Sequence, residues 1–175
     1  ALALDGVTFT AIRSQDTDGV FNDAMIFDAA NPTGQDGDLG QAAQGNVLII
    51  SEDGDASDPD DEAHGGTIEA TFDTPSTVQS IVVLDTEEAG GTIDLFDVDG
   101  NTIATFVIPS IPNGTLQTGD FGDVAGVASM TVTLKGSGAS DDLGFVREGE
   151  TKSVEKHISV EVMDVEETGT LAGRY

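Results

Sequence analysis

Seven carboxylates stand within the sixteen residues 51–66, SEDGDASDPDDEAHGG: Glu52, Asp53, Asp55, Asp58, Asp60, Asp61 and Glu62. Not one Lys or Arg accompanies them, and none occurs anywhere between Arg13 and Lys135. Like charges at this density repel unless a cation sits among them. A divalent metal is the obvious candidate, and calcium suits it best, since it takes roughly six to eight oxygen ligands in a flexible geometry that loops can supply. Three other acidic loops could contribute: Asp36 with Asp38 in NPTGQDGDLG (31–40), Asp85 with Glu87 and Glu88 in DTEEAGG (85–91), and Asp141 with Asp142 in GSGASDD (136–142). The bland alternative is a solvated acidic surface that only maintains solubility. Against it, the acids cluster beside glycines at strand ends rather than spreading along strand faces.

Paired carboxylates also serve glycoside hydrolysis, but the chain has no GxSxG, HExxH or phosphate-cradling Gly-Lys motif, and its two histidines, His64 and His157, stand far apart. Binding is therefore expected rather than catalysis. His64 lies in the acidic stretch and reads as a solvated loop histidine in oxygen-rich surroundings. Asp97 and Asp99 resemble the opening of a calcium loop, but Gly100 comes two positions early, so a simple turn is the better reading.

The elements that must hold these loops are strands. Residues 7–12 (VTFTAI), 24–27, 47–50 (VLII), 67–72 (TIEATF), 78–84, 127–134 and 143–146 are short, β-branched or aromatic runs separated by Gly- and Asp-rich breaks. In 67–72, Ile68, Ala70 and Phe72 face one way and Thr67, Glu69 and Thr71 the other. The run 47–50 is too short for a helix and too apolar for a surface strand, and reads as a strand buried in a sheet. Asp-Gly between alternating runs predicts a hairpin of 92–98 with 102–108, while 109–122 and 136–142 read as loops. No segment sustains helical spacing. The expected fold is all-β, an antiparallel two-sheet β-sandwich of jelly-roll type with long calcium-binding loops. Phe9, Phe72, Phe96 and Phe106 are expected in its interior, with Phe21 and Phe121 in loops that could face a ligand. Composition shifts near Arg147, which predicts a domain over 1–146 and a flanking segment over 147–175.

The formal charge of −27, from 33 acidic against 6 basic residues, excludes nucleic acid and anionic lipid as natural partners, because both are normally gripped by Lys and Arg. The absence of cysteine removes disulfides, thiolate nucleophiles and cysteine-ligated metals. No run approaches a membrane span, and the N-terminus does not read as a signal peptide. The chain is expected to be a piece of a longer protein, with something following Tyr175.

The blocks NDAMIFDAANPTGQDGDLG (22–40), GNVLIISEDGDASDPDDEAHGGTI (45–68) and GSGASDDL (136–143) resemble the calcium-dependent peptide-binding domain of bacterial RTX adhesins, over about residues 7–145. The middle block is the specific one. The third reads Ser140-Asp141-Asp142 where the family pattern has a more apolar residue and then Asp-Asn. The resemblance implies a secreted, cell-surface-associated module that recognises a peptide or protein C-terminus on a host or neighbouring cell through bound calcium. It also implies that Asp53, Asp55, Asp58, Asp60 and Asp61 hold calcium, some of it at the ligand site. The candidate metal residues are thus Asp36, Asp38, Glu52, Asp53, Asp55, Asp58, Asp60, Asp61, Glu87 and Asp141, and the candidate ligand contacts are Asp55, Ser57, Asp58, Asp60, Asp61 and Glu88. Two alternatives stand beside it: a calcium-dependent carbohydrate-binding module, and a structural spacer stiffened by calcium. The isolated domain is expected to be monomeric.

Overall fold

The strand runs form where alternation and β-branching favour them, and two of them continue much further than their sequence suggests. The computed structural model describes residues 1–149 apart from Thr17 and Phe21, together with the backbone of Lys156–Ile158. Its strands are β1 (Leu2–Leu4), β2 (Val7–Arg13), β3 (Ala24–Asp28), β4 (Asn46–Ile50), β5 (Gly66–Leu84), β6 (Thr92–Phe96), β7 (Thr102–Val107), β8 (Leu116–Leu134), β9 (Ala139–Arg147) and β10 (Lys156–Ile158). All pairings are antiparallel.

β5 and β8 each run 19 residues, enough to pass through both layers of a sandwich. Their ladder slips between Thr71 and Ser76, and again before Ser80. Pro75 sits at the first slip, where its missing N–H is tolerated and a bulge bends the strand. One layer therefore comprises β1, β2, the first part of β5, the last part of β8, β6 and β7. The other comprises β3, β4, β9, the second part of β5 and the first part of β8, with β10 against β9.

Between the layers, Phe9, Ile68, Ala70, Phe72, Met130 and Val132 meet Leu48, Ile50, Ile81, Val83, Leu143 and Phe145. Phe72 and Phe145 touch edge to face across the gap at 5.3 Å between ring centroids. The all-β sandwich is as the sequence predicts. Phe96, expected in the interior, is only half-buried and lies outside this core.

A second, smaller core covers the outer face of the second layer. Val47, Ile49, Val82, Leu84 and Ala139 pack there with Phe27, Ala29 and Leu39. Leu39 belongs to a 3-10 turn (Gly37–Leu39) in the long β3–β4 connection. This is why 47–50 and 81–84 are continuously apolar: each strand buries both faces. The same packing anchors the loop that carries Asp36 and Asp38.

Two segments read as loops are strands. Residues 116–122 belong to β8 and residues 139–142 to β9, because pairing with β5 supplies the order that their own Gly, Asp and Ser do not. Of the expected flanking segment, 150–155 and 159–175 lie outside the described residues. Among the described residues no helix is long and apolar enough to cross a membrane.

Candidate metal centre

Residues 52–60 form a lobe closed at its base. An isolated bridge joins Ser51 to Asp61, and the Glu62 amide donates to the Ile50 carbonyl (2.8 Å). The β3–β4 connection leans on this lobe through three bonds: Thr33 Oγ1 to the Pro59 carbonyl (2.7 Å), the Gly34 amide to Asp58 Oδ1 (3.1 Å), and the Asp61 amide to Asp36 Oδ2 (2.8 Å). Gly34 has φ +64°, and a Cβ there would stand 2.2 Å from Asp60 Cβ. Only glycine allows the two loops this close.

The end of β5 completes the cluster from the other side. Asp85 turns the chain with φ 56°, its amide bonded to the Thr115 carbonyl (2.9 Å). Its carboxylate accepts from the Gly114 amide (2.6 Å) and from Ser137 Oγ (3.1 Å). The Gly138 amide donates to Asp61 Oδ2 (2.6 Å), so the turn 136–138 ties Asp61 and Asp85 together. Asp38 Oδ2 accepts from Asn113 Nδ2 (3.2 Å) in the loop that bonds Asp85.

Acids gathered this way suppress one another's ionisation. Burial is the main force pushing Asp61 up, to about 7, with Asp36 and Asp85 adding repulsion and the Gly138 and Ser137 donors opposing it. Burial also raises Asp85, Asp36 and Asp60. Repulsion reinforces it from Asp38 and Glu87 at Asp85, from Asp38 and Glu52 at Asp36, and from Asp53, Glu52, Asp36 and Asp58 at Asp60. Among the described residues the ion pairs engage Asp16, Asp23, Glu62 and Asp5, none of them in this cluster.

The pH dependence follows. A carboxyl whose folded pKa lies above its unfolded value, about 4, contributes its full stability below pH 4 and loses it as the pH climbs through the folded value. With Asp61 at about 7, metal-free protein should therefore melt higher at pH 5 than at pH 8. Thermal melts of chelator-treated protein across that range check this, and a melting temperature that rises toward pH 8 would contradict it.

The structure assembles some sequence candidates and separates others. Asp36, Asp38, Asp61, Asp85 and Glu87 form one electrostatically linked group, and Glu52, Asp53, Asp58 and Asp60 form a neighbouring one joined to it through Asp36. Asp55 and Ser57 instead bond each other at the exposed tip of the lobe, Asp55 Oδ1 accepting from the Ser57 amide (2.8 Å) and hydroxyl (2.7 Å). The Ser57 hydroxyl and amide hold Asp55 below the usual carboxylate range. Asp141 sits in β9 and accepts from Gln44 Nε2 (3.2 Å). Glu88 packs its carboxyl over Gly136, where a Cβ would meet Glu88 Cδ at 2.3 Å. His64 is an exposed ring paired with Glu62 (2.8 Å). Asp97 accepts from the Asp99 and Asn101 amides (2.9 and 2.8 Å) and closes the β6–β7 turn. Sequence reasoning missed the donors Gly114, Ser137 and Gly138; their types carry no charge signal, and only tertiary contact places them here.

The donor chemistry fits a hard cation. The clustered side chains offer carboxylate oxygen, and Asp60 Oδ1 is buried with no hydrogen-bond partner, an orphan that a cation would satisfy. Among the described residues no three His, Asp or Glu side chains already converge closely enough to hold a metal ion. A bound ion would have to draw the carboxylates inward.

No protein-family model matches the sequence, and no curated protein matches it. Among solved structures, a Streptococcus pneumoniae fucose-binding module aligns at 13% identity over 77% of this chain and 82% of that one, TM-score 0.41. The lectin domain of lectinolysin complexed with Lewis B antigen aligns at 10% identity over 67% and 84%, TM-score 0.39. A second S. pneumoniae fucose-binding module, SpX-3, aligns at 13% identity over 54% of this chain, which spans 64% of its length, TM-score 0.36. Scores below 0.5 carry no weight for what this chain binds.

Proposed function

We propose that the chain is a calcium-dependent ligand-binding module of a secreted adhesin, with the ion drawn in by Asp36, Asp38, Asp61 and Asp85. The observation that carries this reading is the burial of Asp61 and Asp85 among further acids: among the described residues no basic side chain forms an ion pair with either carboxylate, and in the neighbouring lobe Arg13 bonds only the Glu52 carbonyl. Burying charge without a partner is costly, and a divalent cation is the partner that this donor set suits. The ion would supply positive charge and coordination positions; the chain supplies carboxylate oxygens from three connections, β3–β4, β4–β5 and β5–β6. A peptide's terminal carboxylate would complete the ion's shell, and the resemblance to adhesin peptide-binding domains supports that ligand over others. The lobe 52–60, with Asp58 and Asp60 facing the β3–β4 connection, would flank it.

Isothermal titration of calcium chloride into chelator-treated protein should give a saturable heat. A hexapeptide library with free C-termini should then bind in calcium and lose binding in EGTA. A fucose arm run in parallel would reassign the ligand if it alone bound in calcium, and no calcium heat at all would sink the reading.

A further inference from the structure

On the side of the sandwich where both layers end lies a cavity of about 300 Å³ that the acidic centre does not use. Its walls are Ile81, Val83, Ile93, Phe106, Ile108 and Phe121. Phe106 of one layer and Phe121 of the other close its floor at 4.6 Å between ring centroids. Gly119 lines the cavity without a side chain to occupy it. A Cβ at Gly119 would meet its nearest atoms only at 3.7 Å or more, at ordinary contact distance.

The strands bordering the cavity have open edges. Among the described residues β7 pairs only with β6, and residues 116–121 of β8 pair only with β5. The bond from the Asp85 amide to the Thr115 carbonyl sets the phase of that ladder. Continuing it through Val83–Gln117 and Ile81–Gly119 turns the N–H and C=O groups of Leu116, Thr118 and Asp120 away from β5, toward the open edge. An apolar recess beside unpaired strand backbone is the arrangement that captures an extended peptide: main-chain bonds supply affinity and a pocket for one side chain supplies selectivity.

Charge selects the occupant. Asp120 lines the rim, and the chain carries −27, which repels a second copy and attracts a basic segment. We propose that this edge binds an extended, Lys- or Arg-bearing peptide segment by strand addition along residues 116–120, seating one Leu-sized side chain in the cavity over Gly119. Calcium has no part in this site.

The probe is a capped heptapeptide of alternating Lys and Thr around a central Leu, acetylated and amidated, followed by NMR in EGTA at low salt. The missing carboxylate and the chelator make its outcome independent of the calcium reading. Saturation is expected with Kd below about 1 mM, weakened at least about tenfold when the central Leu becomes Ala. Gly119→Leu should lose binding about tenfold while retaining any calcium-induced rise in melting temperature, and Asp120→Lys should weaken it severalfold. If Gly119→Leu does not fold, Gly119→Ala, which fits without close contact, should still weaken binding. Absence of saturation, equal binding of the Leu and Ala peptides, or wild-type affinity in the folded Gly119 variant would overturn the proposal. So would sedimentation showing that the edge is taken by a second copy.

Discussion

Adding 1 mM calcium chloride to chelator-treated protein is expected to raise Tm by roughly 5–11 °C. An ion held with Kd near 10 μM would be present at about a hundred times Kd, which stabilises the fold by about 2.7 kcal/mol; for a domain of this size each kcal/mol moves Tm by about 2–4 °C. Magnesium should do less, because it dehydrates reluctantly and demands stricter geometry. Asp61→Asn should abolish the calcium response. It should leave the metal-free protein at least as stable at pH 8, since a neutral amide replaces a carboxylate whose ionisation burial opposes. Asp55→Asn should leave the response intact, because that carboxylate is fully exposed and bonds only within its own tip. Differential scanning calorimetry of the three proteins decides the matter: a calcium shift surviving Asp61→Asn would move the centre elsewhere, and a shift lost in Asp55→Asn would move it to the tip of the lobe.

Phe145→Ala is expected to cost about 3–5 kcal/mol, lowering Tm by roughly 6–20 °C. Phe145 is fully buried and packs edge to face on Phe72 of the facing layer, while Arg147 of the same strand stacks its guanidinium 5.7 Å from the ring centroid. Truncation leaves a cavity at a point where two sheets meet, a site with little freedom to collapse. Phe145→Leu should cost distinctly less, since it retains most of the volume. Urea denaturation of both variants measures this; a loss below about 1 kcal/mol for the Ala variant would mean that the layers do not rely on this contact.

Much of the fold was legible because β periodicity is local. The alternation of Ile68, Ala70 and Phe72 named the buried face of β5, and Asp-Gly placed the β6–β7 turn, where Asp97 does the capping. The uninterrupted run 47–50 announced a buried strand, and the structure fills both of its faces. What local pattern could not show is where a strand continues past its own apolar residues. Residues 116–122 and 139–142 read as loops since Gly, Asp and Ser dominate them, and the ladder on β5 overrides that preference.

The candidate site divides the same way. Composition and spacing alone determined that acidic loops dominate this chain and that no Lys or Arg stands between Arg13 and Lys135, and they led to the expectation that hard cations rather than phosphates suit it, because charge and ligand type are properties of the residues themselves. Which acids meet was decided by tertiary structure. Asp36 and Asp61 are 25 residues apart, and Asp61 reaches Gly138 across 77, while Asp55, two residues from Asp53, turns away into its own bend. The open edge beside Gly119 is likewise a product of how two bent strands end, and no residue type announces it. Burial is a property of the assembled layers, so the sequence could name the charges but only the fold could choose which of them to enclose.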